Sequence, residues 1–288
     1  MKPEITYILK SINADLTSYN NFQWKESGIV TCPDWSPKPK CGNGLHGFLM
    51  GEGSGELANW KEDAKWLVLE VDKASIVDLI GKVKFPSCEV VFCGDRKGAT
   101  DFIISKGGKN VIGSFVISGD KGTSTSGYRG TSNSGNYGTS TSGDYGTSTS
   151  GNLGTSNSGD QGTSNSGDKG TSTSRYNGTS TSGDKGTSTS GNLGTSTSGD
   201  YGTSTSGVFG ISNSGYKGTS TSGDYGTSTS GDYGTSTSGD KGILIIKYWN
   251  IEKERFMVAT AYVGENGIEP NIPYKLDENH QFVEVFKK

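Results

Sequence analysis

From Gly122 to Lys241 the chain repeats one octapeptide, Gly-Thr-Ser-Thr-Ser-Gly-Asp-x, fifteen times without an insertion or deletion. Such a period constrains the fold more than any composition could. A flexible Gly/Ser linker requires composition but no register. A fixed register means that every unit meets an equivalent neighbour. A disordered Gly/Ser/Thr tract is the competing reading, and the unbroken phase argues against it. Thr-Ser-Thr-Ser suits extended backbone through its β-branched residues. Gly-Asp-x-Gly supplies residues that tight turns need, because Gly and Asp tolerate positive φ. Four extended residues and a four-residue corner, repeated, describe a β-solenoid with strands stacked about 4.8 Å apart. Two octads per coil would make a flattened solenoid of seven or eight coils, roughly 36 Å long. Three octads would make a triangular, shorter one. Two per coil is the preferred arrangement, and the sequence leaves the other open.

Alternation along a strand puts the two Thr of each octad on one face and the two Ser on the other. Departures at the Thr positions are few: Asn133, Asn157, Asn165 and Asn213 at the second, and Ile211 at the first. Arg175 replaces the second Gly once. Ile211 is apolar, and the imperfect unit from Ser114 to Lys121 carries Phe115 and Ile117 at the Thr positions. Thr methyls also pack better than Ser. These points predict Thr inside. The opposite orientation would display regular Thr-x-Thr rows outward, which an ice-binding surface would use.

The corners hold the variable residues. Asp occupies the seventh position at 120, 144, 160, 168, 184, 200, 224, 232 and 240. It suits an Asx-turn that caps corner amides. The eighth position includes Tyr137, Tyr145, Tyr201, Tyr225 and Tyr233. These tyrosines either stack along the rod or form a recognition stripe, and they are the candidate binding residues. The octad lacks the Gly-Gly-x-Gly-x-Asp nonapeptide of calcium-binding β-rolls. No metal or other cofactor is implied.

The remainder is ordinary by comparison. Only 30% of residues are hydrophobic, and 46 are Gly, so the apolar residues cannot fill one large core. The net charge of −3 argues against a basic, nucleic-acid-coating surface. No apolar run is long enough for a spanning helix. Met1-Lys2-Pro3-Glu4 does not read as the start of a signal peptide, so a cytoplasmic location and reduced thiols are expected. Cys32, Cys41, Cys88 and Cys93 have gaps too long for the paired spacing of structural zinc sites. Buried apolar thiols are the expectation.

Residues 1–107 read as a small α+β domain. Strands are expected over Ile5–Ser11, Trp66–Asp72 and Cys88–Cys93, and helices over Gly55–Lys61 and Ala99–Ser105. The Gly-rich segment Cys41–Gly47 holds His46, one of only two histidines. It is the one place in this domain where ligand binding or catalysis could be argued. A structural His in a turn is the plainer reading. Residues 242–288 read as a β-hairpin cap. Ile243–Trp249 keeps the octad phase but is apolar on both faces, Arg255–Val263 returns along it, and Tyr274–Leu276 with Phe282–Phe286 forms a last hairpin. A cap shields the open edge that a solenoid would otherwise expose. The expected fold is therefore mainly β: a solenoid over 108–241 between the two flanking units.

Two resemblances bear on function. Asn13–Thr17, Cys41–His46, Tyr262–Pro270, Tyr274–Leu276 and Phe282–Val285 resemble an uncharacterised domain, and its ending, in phage and prophage proteins that carry Gly-Thr-Ala-Thr-Ala-Gly-Asp-type repeats. This resemblance carries no catalytic residues. It implies a non-enzymatic interaction or scaffold protein of phage origin, either cytoplasmic in the infected bacterium or virion-associated. Its rigid rod would present a surface to a host protein; neither nucleic acid nor a membrane is an expected partner, and a homodimer could form through a flat face. The octads also resemble bacterial ice-nucleation repeats in period and in their Tyr-Gly and Thr-x-Thr elements. Those arrays are longer, usually secreted or surface-bound, and lack this N-terminal domain. They imply ice or ordered-water binding by a Thr or Ser ladder. A third reading, from the His46–Gly47 turn with a distant Glu, is similarity to NAD-using ADP-ribosyltransferases.

Overall fold

A computed structural model describes residues 3–286. Met1 and Lys2, part of the segment read for a signal peptide, lie outside those residues. The chain forms two compact units. One runs up to Phe115 and includes Thr125–Thr131; the other comprises Val116–Ser124 and the chain from Ser132 onward.

The first unit is a seven-stranded sheet with one α-helix. Its strands are β1 (Ile5–Ile12), β2 (Gly28–Thr31), β3 (Leu45–Leu49), β4 (Lys65–Asp72), β5 (Val77–Asp78), β6 (Val83–Phe85) and β7 (Ser87–Gly94), in the order β2-β7-β4-β1-β3-β6-β5. The centre is the antiparallel β1–β4 pair, matched over eight residues from Ile5↔Asp72 to Ile12↔Lys65. Period-two alternation gives this sheet two buried faces. Ile8, Ile12, Leu67 and Leu69 pack with Trp24, Val30 and Phe85 on one side. Leu9 and Val68 pack on the other, against Ala99 and Ile103 of α1 (Arg96–Ser105). Asp95 caps α1 by accepting the Gly98 N–H at 2.7 Å. The helix expected over Gly55–Lys61 is only a 3₁₀ turn, Gly55–Leu57, entered from Ser54 without a side-chain cap. A leading Gly and an unmade cap both disfavour helix propagation.

The second unit is the solenoid with its cap. Successive octads alternate between two parallel sheets, so each coil takes sixteen residues: Thr179 pairs with Thr195, Ser180 with Ser196, Thr181 with Thr197. One sheet, here face A, contains the repeat strands that begin every sixteen residues from Thr123 to Thr235. The other, face B, contains those that begin every sixteen residues from Phe115 to Ile243. Two octads per coil is thus the arrangement adopted.

The orientation is the reverse of that expected. The Ser positions point inward: Ser180, Ser188, Ser196 and Ser204 are completely buried. The Thr positions point outward, and the apolar residues that suggested Thr inside are exposed with them: Phe115, Ile117 and Ile211. The reason is thickness. Ser hydroxyls from opposite sheets meet directly, as for Ser230 and Ser236 at 3.0 Å. Such an interior has no room for an added methyl per residue. Some of these Ser also hydrogen-bond within this narrow space: Ser164 Oγ donates to the Ser156 carbonyl at 2.6 Å, whereas the hydroxyls of Ser180, Ser188, Ser196 and Ser204 are buried without a partner.

The cap follows the expected course. Ile243–Asn250 continues face B in parallel and turns into antiparallel Arg255–Tyr262. Leu244 and Ile246 occupy the inward positions and are buried. Tyr274–Leu276 and Phe282–Glu284 form the last hairpin beside the end of face A. Leu244, Val263, Ile268 and Tyr274 make a small apolar plug.

Candidate functional site

The outward Thr rows depend on how the corners are built. At every corner the eighth octad residue adopts the left-handed conformation, as at Tyr145 (φ 56°), Lys185 (φ 57°) and Tyr201 (φ 57°). The repeat glycines do not have positive φ, contrary to the turn argument made from the sequence. They are needed for closeness instead. A Cβ on Gly183 would lie 2.8 Å from the backbone nitrogen of Asp168 in the preceding coil and nearer still to its Oδ1. A Cβ on Gly186 would meet Ser182 Cβ at 2.7 Å.

The seventh residue is also not a local Asx cap. At most of the Asp and Asn corners its side-chain oxygen accepts the backbone N–H of the residue sixteen positions on. Along one edge these bonds run without a break through Asp120, Asn136, Asn152, Asp168, Asp184 and Asp200, at 2.7–3.1 Å. Each coil is thereby tied to the next at its corner as well as along its strands.

The result is two outward faces of Thr pairs in register. Pairs in adjacent coils are about 4.8 Å apart, and the two Thr of one strand are about 6.7 Å apart. Each grid point carries a methyl and a hydroxyl. Among the described residues, no Thr hydroxyl of the array takes a protein partner. Such a surface can hold water at fixed, repeating positions while its methyls limit competing hydrogen bonds.

The five candidate tyrosines are all exposed, on two opposite edges. Tyr137, Tyr201 and Tyr233 lie on one edge, Tyr145 and Tyr225 on the other, because residues share an edge only at multiples of sixteen. Tyr201 and Tyr233 are linked through Tyr216, with ring centroids 5.6 and 5.9 Å apart. Lys217 Nζ lies 5.1 Å from the Tyr216 ring centroid, and its hydrogen bond to Tyr216 raises its pKa. Tyr225 stacks on Phe209 at 5.0 Å, and Tyr145 accepts a hydrogen bond from Gln161 at 2.9 Å. Tyr216 and Phe209 were missed in the sequence. Their signal was an aromatic at either corner position, not only at the eighth with Tyr.

His46 belongs to the first unit. It lies within strand β3, paired with Lys84 of β6, not in a turn. Burial first, then Lys82, Lys10 and Lys84, lowers its pKa to about 4. Lys84 is itself buried and donates to the Lys40 carbonyl at 2.8 Å. A cavity of about 520 Å³ in this unit is lined by Lys82 and Val83 but by no residue of Cys41–Gly47. Of the cysteines, Cys32 and Cys88 are buried, Cys93 is half-buried, and Cys41 is exposed at the Gly-rich segment. The expectation of buried thiols therefore fails at Cys41, whose loop stays at the surface. Burial pushes the Cys88 thiol up to about 12.

Comparison with known proteins divides along the same line as the fold. Residues 6–105 match the family described as Domain of unknown function (DUF7666). The octads match elsewhere. The repeat array is similar to that of bacterial ice nucleation proteins. An ice nucleation protein of Pseudomonas fluorescens is 37% identical over 105 residues, covering 36% of this chain and 9% of that protein. Ice nucleation protein InaU of Pantoea ananas is 34% identical over 106 residues, covering 36% of this chain and 10% of its own length. An ice nucleation protein of Enterobacter agglomerans is 34% identical over 106 residues, covering 36% and 8%. The chain thus spans about a tenth of the length of these relatives. No solved structure matches. The matches to ice nucleation proteins overturn the cytoplasmic location expected from the sequence, since arrays of that kind are the secreted or surface-bound ones noted above.

Proposed function

We propose that this protein is a non-enzymatic binder of ice or ordered water, acting through an outward Thr ladder of its solenoid. The observation that carries this reading is the burial of Ser and the display of Thr in every coil. The similarity of the repeats to ice nucleation proteins supports it. Rigidity matters as much as chemistry. A grid held by in-register strands and by side-chain bonds between corners presents its hydroxyls without an ordering cost at the moment of binding. Thr also loses little side-chain freedom, because its χ1 is already restricted.

The scaffold reading, a rod offering corner residues to a host protein, draws its support from the exposed aromatics around Tyr216. It ranks second, since most of those rings are engaged with one another or with lysines.

The deciding experiment is ice-recrystallisation inhibition and thermal hysteresis with the purified full chain. The reading expects measurable inhibition that depends on protein concentration. Behaviour identical to that of a non-binding protein of equal size would contradict it.

A further inference from the structure

The two Thr faces are not equivalent, and the sixteen-residue coil makes the difference visible. Five residues depart from Thr at the outward positions of the array. Asn133, Asn165, Ile211 and Asn213 all fall on face B; Asn157 alone falls on face A. Face A therefore holds five successive rungs with Thr at both outward positions, from Thr171 to Thr237. That stretch is about 19 Å long at the usual strand spacing. On face B the longest such run is two rungs, Thr179 with Thr181 and Thr195 with Thr197. The next rung, Ile211 with Asn213, has no Thr at all. Beyond the array, face B continues into Ile243 and Ile245.

Contiguity decides how such a surface performs. Each Thr hydroxyl fixes a water weakly by itself, and an ordered layer is held only when many contacts are made together. Ile removes the hydroxyl and is 46% exposed at 211. Asn removes the methyl and projects a longer amide beyond the plane of its neighbours. Either one interrupts the layer.

We infer that face A is the working surface for ice or ordered water, and that face B is inactive in the natural chain. This rests on the proposed function and narrows it to one side of the solenoid.

The test compares matched variants of the full chain. Thr189→Lys with Thr205→Lys places two charges in the long run of face A; Thr181→Lys with Thr197→Lys places two on face B. Retained melting temperature and β-type circular dichroism establish that each is folded. The face A pair is expected to raise the concentration needed for recrystallisation inhibition at least tenfold, and the face B pair less than twofold. Equal losses from both pairs, or a larger loss from face B, would overturn the inference while leaving ice binding standing. An inactive natural chain would remove both. Should the face A pair fail to fold, Ile211→Thr with Asn213→Thr decides. It joins the rungs from Thr179 to Thr229 into four in a row, and is expected to increase activity at least twofold. No increase would overturn the inference.

Discussion

Ser230 and Ser236, on opposite sheets of the solenoid, are both buried and their hydroxyl oxygens meet at 3.0 Å. That contact sets the thickness of the rod. It also determines which residues reach solvent.

Adding volume at an inward position should therefore be costly. Ser236→Val brings two methyls into a space closed by hydroxyl contact, and is expected to destabilise the solenoid by about 1–3 kcal/mol. Thr237→Val, one residue on and facing outward, is expected to change stability by less than about 0.5 kcal/mol. Thermal unfolding followed by circular dichroism measures both. Equal effects would mean that the two side chains share one environment.

The corner bonds make a second prediction. Asp168 Oδ1 accepts the Asp184 N–H at 3.1 Å. Asp168→Ala removes that acceptor and is expected to cost about 1 kcal/mol. Asp168→Asn keeps an oxygen in place, as Asn152 does naturally for Asp168 at 2.9 Å, and should cost much less. Equal loss from both variants would show that charge, not the bond, matters.

Gly183 tests the close approach of coils. Ala at this position must displace the backbone of Asp168, and a loss of about 1–3 kcal/mol is expected. Its φ is not in the left-handed region, so conformational strain does not contribute. An unchanged melting temperature for Gly183→Ala would contradict the packing argument.

Acid sensitivity should come from the first unit. His46 takes up its proton only near pH 4 when folded, against 6.5 for the ordinary group. Between those values the unfolded chain binds a proton that the folded domain does not. Stability is therefore lost as pH falls from about 6.5 to 4, by about 1–2 kcal/mol once solvent screening of the half-buried ring is allowed for. His46→Gln should remove most of that component. Urea unfolding at pH 7 and pH 4.5, read by the tryptophans of the first unit, compares the two. An identical pH response in the variant would assign the effect elsewhere.

The repeat made the solenoid, the positions of its corners and its cap readable without coordinates, because an unbroken octad phase admits few packings; how the corners are built was not. The direction of the side chains was not readable in the same way. Ile211, Phe115 and Ile117 suggested an apolar interior at the Thr positions, yet a coil of two octads is too thin for them and they lie outside. The tie from Asp168 to Asp184 was hidden for a related reason: it joins residues sixteen apart, so it looks like a local turn until the coil length is known. In the first unit β3 was concealed by the Gly-rich run before it. Gly47 sits there because a Cβ would strike Ile8 and the Leu9 carbonyl, a requirement of neighbouring β1 that no local pattern displays. The distinction between faces A and B likewise exists only once residues are sorted by sheet.

The most direct measurement of the central claim is partitioning into growing ice. A fluorescently labelled full chain, frozen slowly from a cold seed in dilute solution, is expected to enter the ice at a concentration close to that of the starting solution. Exclusion into the remaining liquid, to the same extent as a labelled control protein that does not bind ice, would contradict the claim that the outward Thr rows engage ordered water.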